Sequence, residues 1–216
     1  MTNTSICRIG VFYDGFYFTI ARKRMYGDLG WLQFKPFHKL LEGYVREKEP
    51  DYTQHHVVYA AWFQGIYASH QADEKQLKDD RRLYDDLMHS GIEPKLMPMP
   101  QSASNEKGAD VALAIDAVQV ALDGKIDIAV LVTGDGDFVP LVRALMKHGV
   151  RVMAAHFARH NGDRNDFVNP RLLNACNYFL NVNNLERDKD HDVLFKGLFR
   201  RPDSYTLDQT QVLEID

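Results

Sequence analysis

Four aspartates fall at ends of apolar stretches, where their side chains are free to meet. Asp14 closes ICRIGVFYD, Asp110 opens GADVALAIDAVQVAL, and Asp135 and Asp137 follow IDIAVLVT within the segment LVTGDGDFVP. Carboxylates are hard oxygen donors. Held close together they repel and raise one another's pKa values, and a divalent ion bound through oxygen removes that conflict. Mg²⁺ or Mn²⁺ suits carboxylate and water better than zinc does. Each residue also has a plainer reading. Asp135 could turn the chain, Asp137 could be the N-cap of the next helix with Pro140 tolerated in its first turn, and Asp110 could complement a helix dipole. Their positions at three separate element ends favour a shared site. Asp116 lies six residues beyond Asp110. At ~100° per residue it points about 120° away and sits about 9 Å further along the helix, which suits a hydrogen-bonding role behind the ligands.

Elements that could bring these residues together alternate along the chain. Residues 6–13 read as a buried strand carrying Asp14 at its C-terminal end, and 56–63 as a second strand. Residues 16–25 suit a short helix, and 34–47 have helical apolar spacing at Phe37, Leu40, Leu41, Tyr44 and Val45. Residues 70–90 fit an amphipathic helix stopped at Ser90-Gly91. Residues 92–99 are a strand that Pro94 and Pro98 assign to an edge. Residues 100–107 form a polar loop. Residues 108–122 form a helix apolar enough to be mostly buried, 126–133 the clearest strand, 138–148 a short helix, and 150–157 another strand. A polar loop, a helical turn at 170–175 and a last strand at 178–182 follow. Such alternation implies right-handed crossovers and a mainly parallel sheet covered on both faces, an α/β sandwich. In such sheets ligands bind beyond the carboxyl ends of strands where strand order reverses, the edge at which the aspartates fall. The domain spans 1–183. The extension 184–216 is polar except at Val193-Leu194-Phe195 and Leu198-Phe199, a short helix docking on the domain or on a partner, so that a homodimer is one expectation.

Composition bounds the rest. A chain of 216 residues with 45% hydrophobic and 26% charged residues can build a core without staples. No apolar run approaches the ~20 residues of a membrane helix, and the first ten residues lack a secretory core, which points to a cytoplasmic protein with no membrane partner. Cys7 and Cys176 suit reduced thiols. A net charge of −4 argues against a uniformly basic nucleic-acid coat. The basic clusters Arg22-Lys23-Arg24, Lys75, Lys78 with Arg81-Arg82, and Arg143 with Lys147 read first as solvated helix faces.

Three segments in order, KGADVALAIDA from Lys107, VLVTGDGDFVPLV from Val130 and GVRV from Gly149, closely resemble the NYN domain of the LabA-like group in the PIN-like nuclease superfamily. VFYDGF around Asp14 is similar to the family's first strand, and the likeness runs from about residue 8 to residue 182. The resemblance implies a Rossmann-like, PIN-like sandwich with an acidic pocket that binds Mg²⁺ or Mn²⁺ and, in active members, hydrolyses RNA. Asp14, Asp110, Asp135 and Asp137 match the acidic positions, Thr133 a hydroxyl residue, and Lys107 a basic residue beside the site. Two positions depart. Tyr17 stands where the family has asparagine, and Asn177 where an aspartate precedes an aromatic. The reading that follows is a metal-dependent endoribonuclease. Lys107 and Thr133 would contact phosphate, and single-stranded RNA would stack on Tyr17, Phe16, Trp62 or Tyr67. The alternative is an RNA-binding or protein-interaction module of the same fold with weak or no catalysis. GDGD also resembles the acidic motif of haloacid-dehalogenase-type phosphatases, but Phe16 occupies the place of their second aspartate. Neither glycine-rich nucleotide loop occurs.

Overall fold

The computed structural model describes residues 5–26, 30–67, 72–99, 108–157, 160–161, 164–165, 168–187 and 192–200. Its centre is a six-stranded sheet in the order β4-β3-β1-β5-β6-β9. Those strands are β1 (Ile6–Asp14), β3 (Gln54–Tyr67), β4 (Glu93–Met99), β5 (Ile128–Val132), β6 (Arg151–His156) and β9 (Tyr178–Asn181), and every adjacent pair is parallel. The helices are α1 (Gly15–Tyr26), α2 (Phe34–Lys48), α3 (Glu74–His89), α4 (Ala109–Leu122), α5 (Val139–Lys147), α6 (Pro170–Ala175), α7 (Asn184–Arg187) and α8 (Asp192–Gly197). The expected α/β sandwich is therefore present, with a wholly parallel central sheet.

Alternate strand residues feed two cores. Val11, Tyr13, Trp62, Val130 and Met153 pack on one face with residues of α1, α2 and α3, while Phe12, Phe63, Leu131 and Ala154 pack on the other with α4, α5 and α6. All five residues of β5 are buried, as a strand covered on both faces requires. β4 lies at an edge, the position in a sheet that tolerates its prolines. The chain leaves β1 toward β3 and β4, then returns through α4 to β5 on the other side of β1. Strand order thus reverses between β1 and β5.

Several expectations are corrected. β2 (Trp31–Leu32) is a strand that the sequence reading left unassigned, and it pairs with β10 (Phe199–Arg200). The polar loop after β6 contains a small antiparallel pair, β7 (His160–Asn161) and β8 (Arg164–Asn165). α4 is less buried than its composition suggests: Val111, Ile115 and Leu122 are all more than half exposed, because only one side of the helix meets the sheet. The extension closes on its own domain. Phe195 and Leu198 are buried in the core beside Phe34 and Leu41, and Gln33 N donates to Leu198 O at 2.7 Å. Of the apolar residues that suggested a homodimer, Phe195, Leu198 and Phe199 are thus used within the chain. Both cysteines are free thiols. No helix among the described residues is long and apolar enough to cross a membrane.

Candidate acidic site at the strand-order reversal

Asp14 ends β1 and begins α1. Its Oδ1 accepts from Tyr17 N at 2.9 Å, which caps the helix and leaves the carboxylate fixed at the sheet edge. Its Oδ2 accepts from Thr133 Oγ1 at 2.9 Å. Thr133, 1% exposed, follows β5 directly and also accepts from Asp135 N at 3.2 Å. The strand ends on either side of the reversal are therefore joined through one hydroxyl. Gly15 permits this packing. A Cβ there would lie 2.6 Å from Trp62 Nε1 and 2.8 Å from Phe63 O, so any side chain would displace β3.

Asp135 and Asp137 occupy a 3-10 turn that leads into α5. Asp135 Oδ1 accepts from Asp137 N at 2.9 Å and caps that turn, while α5 starts after Phe138 with no side-chain cap, so the plainer reading of Asp137 as the helix N-cap does not hold. The physical reason is the intervening turn over Gly136–Phe138, which delays the start of α5 to Val139 and leaves Asp137 exposed within the turn. Asp110 lies in the first turn of α4, exposed toward the same edge.

The electrostatics tie the four together. Burial pushes the Asp14 carboxyl up to about 6, and Asp110 and Asp135 add to the rise, against the opposing hydrogen bonds from Tyr17 and Thr133. Asp110 is also raised, first by loss of solvent around its carboxyl and then by Asp135 and Asp137. No lysine or arginine is ion-paired with any of the four among the described residues. Oxygen-only donors carrying uncompensated negative charge fit a hard divalent cation. The carboxylates nevertheless stand apart: among the described residues no group of three or more His, Cys, Asp or Glu side chains is placed to hold a metal ion.

The remaining sequence candidates fall in different places. Lys107 lies outside the described residues. Tyr17 donates its backbone N–H to Asp14, but its hydroxyl is engaged with β6, accepting from Phe157 N at 3.0 Å. Trp62 is fully buried, which removes it from the stacking candidates, whereas Phe16 is 55% exposed next to Asp14. Asp116 accepts from Tyr59 OH at 2.7 Å and is bonded to Lys95. It joins α4 to β3 and β4, and no hydrogen bond links it to the four aspartates among the described residues. Asn177 holds the start of β6 through Val152 N, at 2.8 Å.

Two residues escaped the sequence reading. Asn169 caps α6 through Arg171 N and packs so closely on the acidic turn that a Cβ at Gly136 would meet its Nδ2 at 2.3 Å. The Asn-Pro pair that starts α6 is the signal that could have found it. His156 ends β6 two residues beyond Ala154, the partner of Leu131, as Thr133 lies two beyond Leu131. It is 3% exposed, burial lowers its pKa to about 4, and neither ring nitrogen has a partner among the described residues. A lone histidine in an apolar strand carries no such signal in sequence.

Comparison with known proteins gives a family and a fold. The family model described as NYN domain matches residues 8–185. No curated protein matches the chain. Among solved structures, a protein of unknown function from Vibrio parahaemolyticus RIMD 2210633 is similar at 23% identity with a TM-score of 0.59, covering 88% of this chain and 98% of that one. At that identity the likeness speaks for the fold.

Proposed function

The chain belongs to the NYN domain family, and from that membership we propose that it is an endoribonuclease that hydrolyses phosphodiester bonds of single-stranded RNA through an acidic Mg²⁺ or Mn²⁺ site. The order of its motifs supports the LabA-like group within the family. What supports the reading is that Asp14, Asp110, Asp135 and Asp137 influence one another's ionisation near the reversal between β1 and β5, with no ion-paired cation on any of them among the described residues.

Asp14, Asp110, Asp135 and Asp137 would hold the ion. A divalent cation there supplies positive charge to the scissile phosphate and lowers the pKa of a bound water. The chain's own groups do the positioning. Thr133 and the Tyr17 N–H each hold one Asp14 oxygen, so the carboxylate cannot rotate away from the edge. With its pKa raised to about 6, Asp14 is ionised at neutral pH yet more basic than an ordinary aspartate. Exposed Asp137 is free to orient water, and Phe16 offers a ring on which an unpaired base can stack; Lys107 would contact phosphate, as the family resemblance implies.

The test is cleavage of single-stranded RNA by the purified full chain with Mn²⁺. Asp135→Asn and Asp110→Asn should each reduce the rate by at least about tenfold. If neither does, the enzymatic reading fails and a binding module of the same fold takes its place; Tyr17, where the family has asparagine, favours that second reading, since its hydroxyl is engaged by Phe157 N.

A further inference from the structure

We propose that the cavity between α1, β2 and α3 binds an organic ammonium cation. It lies on the sheet face opposite α4 and α5, and the proposal does not rest on the nuclease reading. The cavity holds about 450 Å³, with Phe18, Trp31, Phe34 and Trp62 on one side and α3 on the other. Trp62 is fully buried and forms the layer beneath the floor, while Trp31 is half-buried at the mouth.

The second wall is a helix held on the body through Leu83 and Leu87. Of the 16 residues of α3, Leu87 is the one that is buried. The face carrying Lys75, Asp79, Leu83 and Asp86, at helical spacing, lines the cavity, with Leu83 also packed against the core. Asp80 lines the space as well. Asp79 and Asp80 are half-buried and make no ion pair among the described residues, and Arg200 acts on Asp86. Among the described residues Lys75, exposed, is the cation that lines the wall, so carboxylates are in excess among them.

Aromatic rings facing carboxylates across an apolar space select for positive charge. An ammonium head is attracted by ring faces and by Asp79 and Asp80 together, and its hydrocarbon body is sheltered by Leu32, Phe34 and Leu83. A phosphate-bearing ligand meets repulsion from the same carboxylates. A neutral apolar one would strip water from them with nothing in return.

Both tryptophans of the chain line this cavity, so intrinsic fluorescence reports on it directly. Cadaverine, titrated into the full-length protein, should change tryptophan emission saturably in the millimolar range or below, while its neutral analogue 1,5-pentanediol should not. The Asp79→Asn/Asp80→Asn double variant should weaken cadaverine binding by about tenfold, and Lys75→Gln should strengthen it, since each changes the local charge in the opposite sense. Opposite signs separate a change of charge from a loss of fold. An absent or non-saturating response to cadaverine, an equal response to pentanediol, or saturation by adenosine in its place each overturns the proposal.

Discussion

Thr133 Oγ1 donates to Asp14 Oδ2 at 2.9 Å, linking the ends of β5 and β1 where strand order reverses. That bond opposes the rise in the Asp14 pKa caused by burial and by Asp110 and Asp135. Thr133→Val removes the donor while keeping the shape, so the Asp14 pKa climbs further. The acidic limb of the cleavage–pH profile should move to higher pH, and Thr133→Ser should restore it. A limb that stays in place in Thr133→Val would show that Asp14 is not the group whose ionisation governs cleavage.

Asp14 should cost the protein stability. Its pKa is raised from 3.8 to about 6, so the folded chain binds that proton more tightly than the unfolded chain does. The stability is present below pH 4 and is lost as pH rises through about 6, by on the order of 3 kcal/mol. Asp14→Asn keeps an acceptor for Tyr17 N and a partner for Thr133. In divalent-free buffer it should melt above wild type at about pH 7 and level with it at about pH 3. Adding Mn²⁺ should raise the melting temperature of wild type and leave Asp14→Asn unmoved, because only a site with its ligand gains from mass action.

Gly15 and Gly43 make a matched pair. A methyl at Gly15 would meet the Trp62 indole at 2.6 Å and the Phe63 carbonyl at 2.8 Å, whereas one at Gly43, within α2, meets nothing inside 4 Å. Gly15→Ala should destabilise by about 1–3 kcal/mol in denaturant unfolding. Gly43→Ala should stabilise by about 0.5–1 kcal/mol, as alanine does for glycine within a helix.

Asp116 should matter to stability more than to metal. Its carboxylate takes bonds from Tyr59 and Lys95, two groups on strands. Asp116→Asn should lower stability by about 1 kcal/mol and leave the Mn²⁺ concentration dependence of cleavage where it is. A shifted Mn²⁺ dependence would return Asp116 to a role behind the ligands.

The strand–helix alternation was legible because apolar runs such as those of β1 and β5 report burial on both sheet faces, and burial is written in residue type. The prolines of β4 disclosed an edge for the same reason. β2 and β10 were not legible: two-residue strands owe their pairing to each other, and Trp31-Leu32 offers no period from which to infer Phe199-Arg200. α4 misled, since its composition does not distinguish a helix packed on one side from one packed all round. At the candidate site, the element ends marked by Asp14, Asp110, Asp135 and Asp137 were visible, but the division of labour between Asp135 and Asp137 was not. It turned on a 3-10 turn that local propensity does not announce.

Sequence by itself determined a parallel α/β sheet and the identity of the acidic residues at its edge, because hydrophobic period and residue chemistry are local properties. Tertiary structure alone decided the rest: which strands adjoin Asp14, that the Thr133 hydroxyl reaches it, that the Tyr17 hydroxyl turns to β6, and that Trp62 is core. Those facts depend on contacts between residues about fifty or more positions apart, or on burial beneath other elements. No local pattern encodes a distance between segments that only the packed sheet brings together.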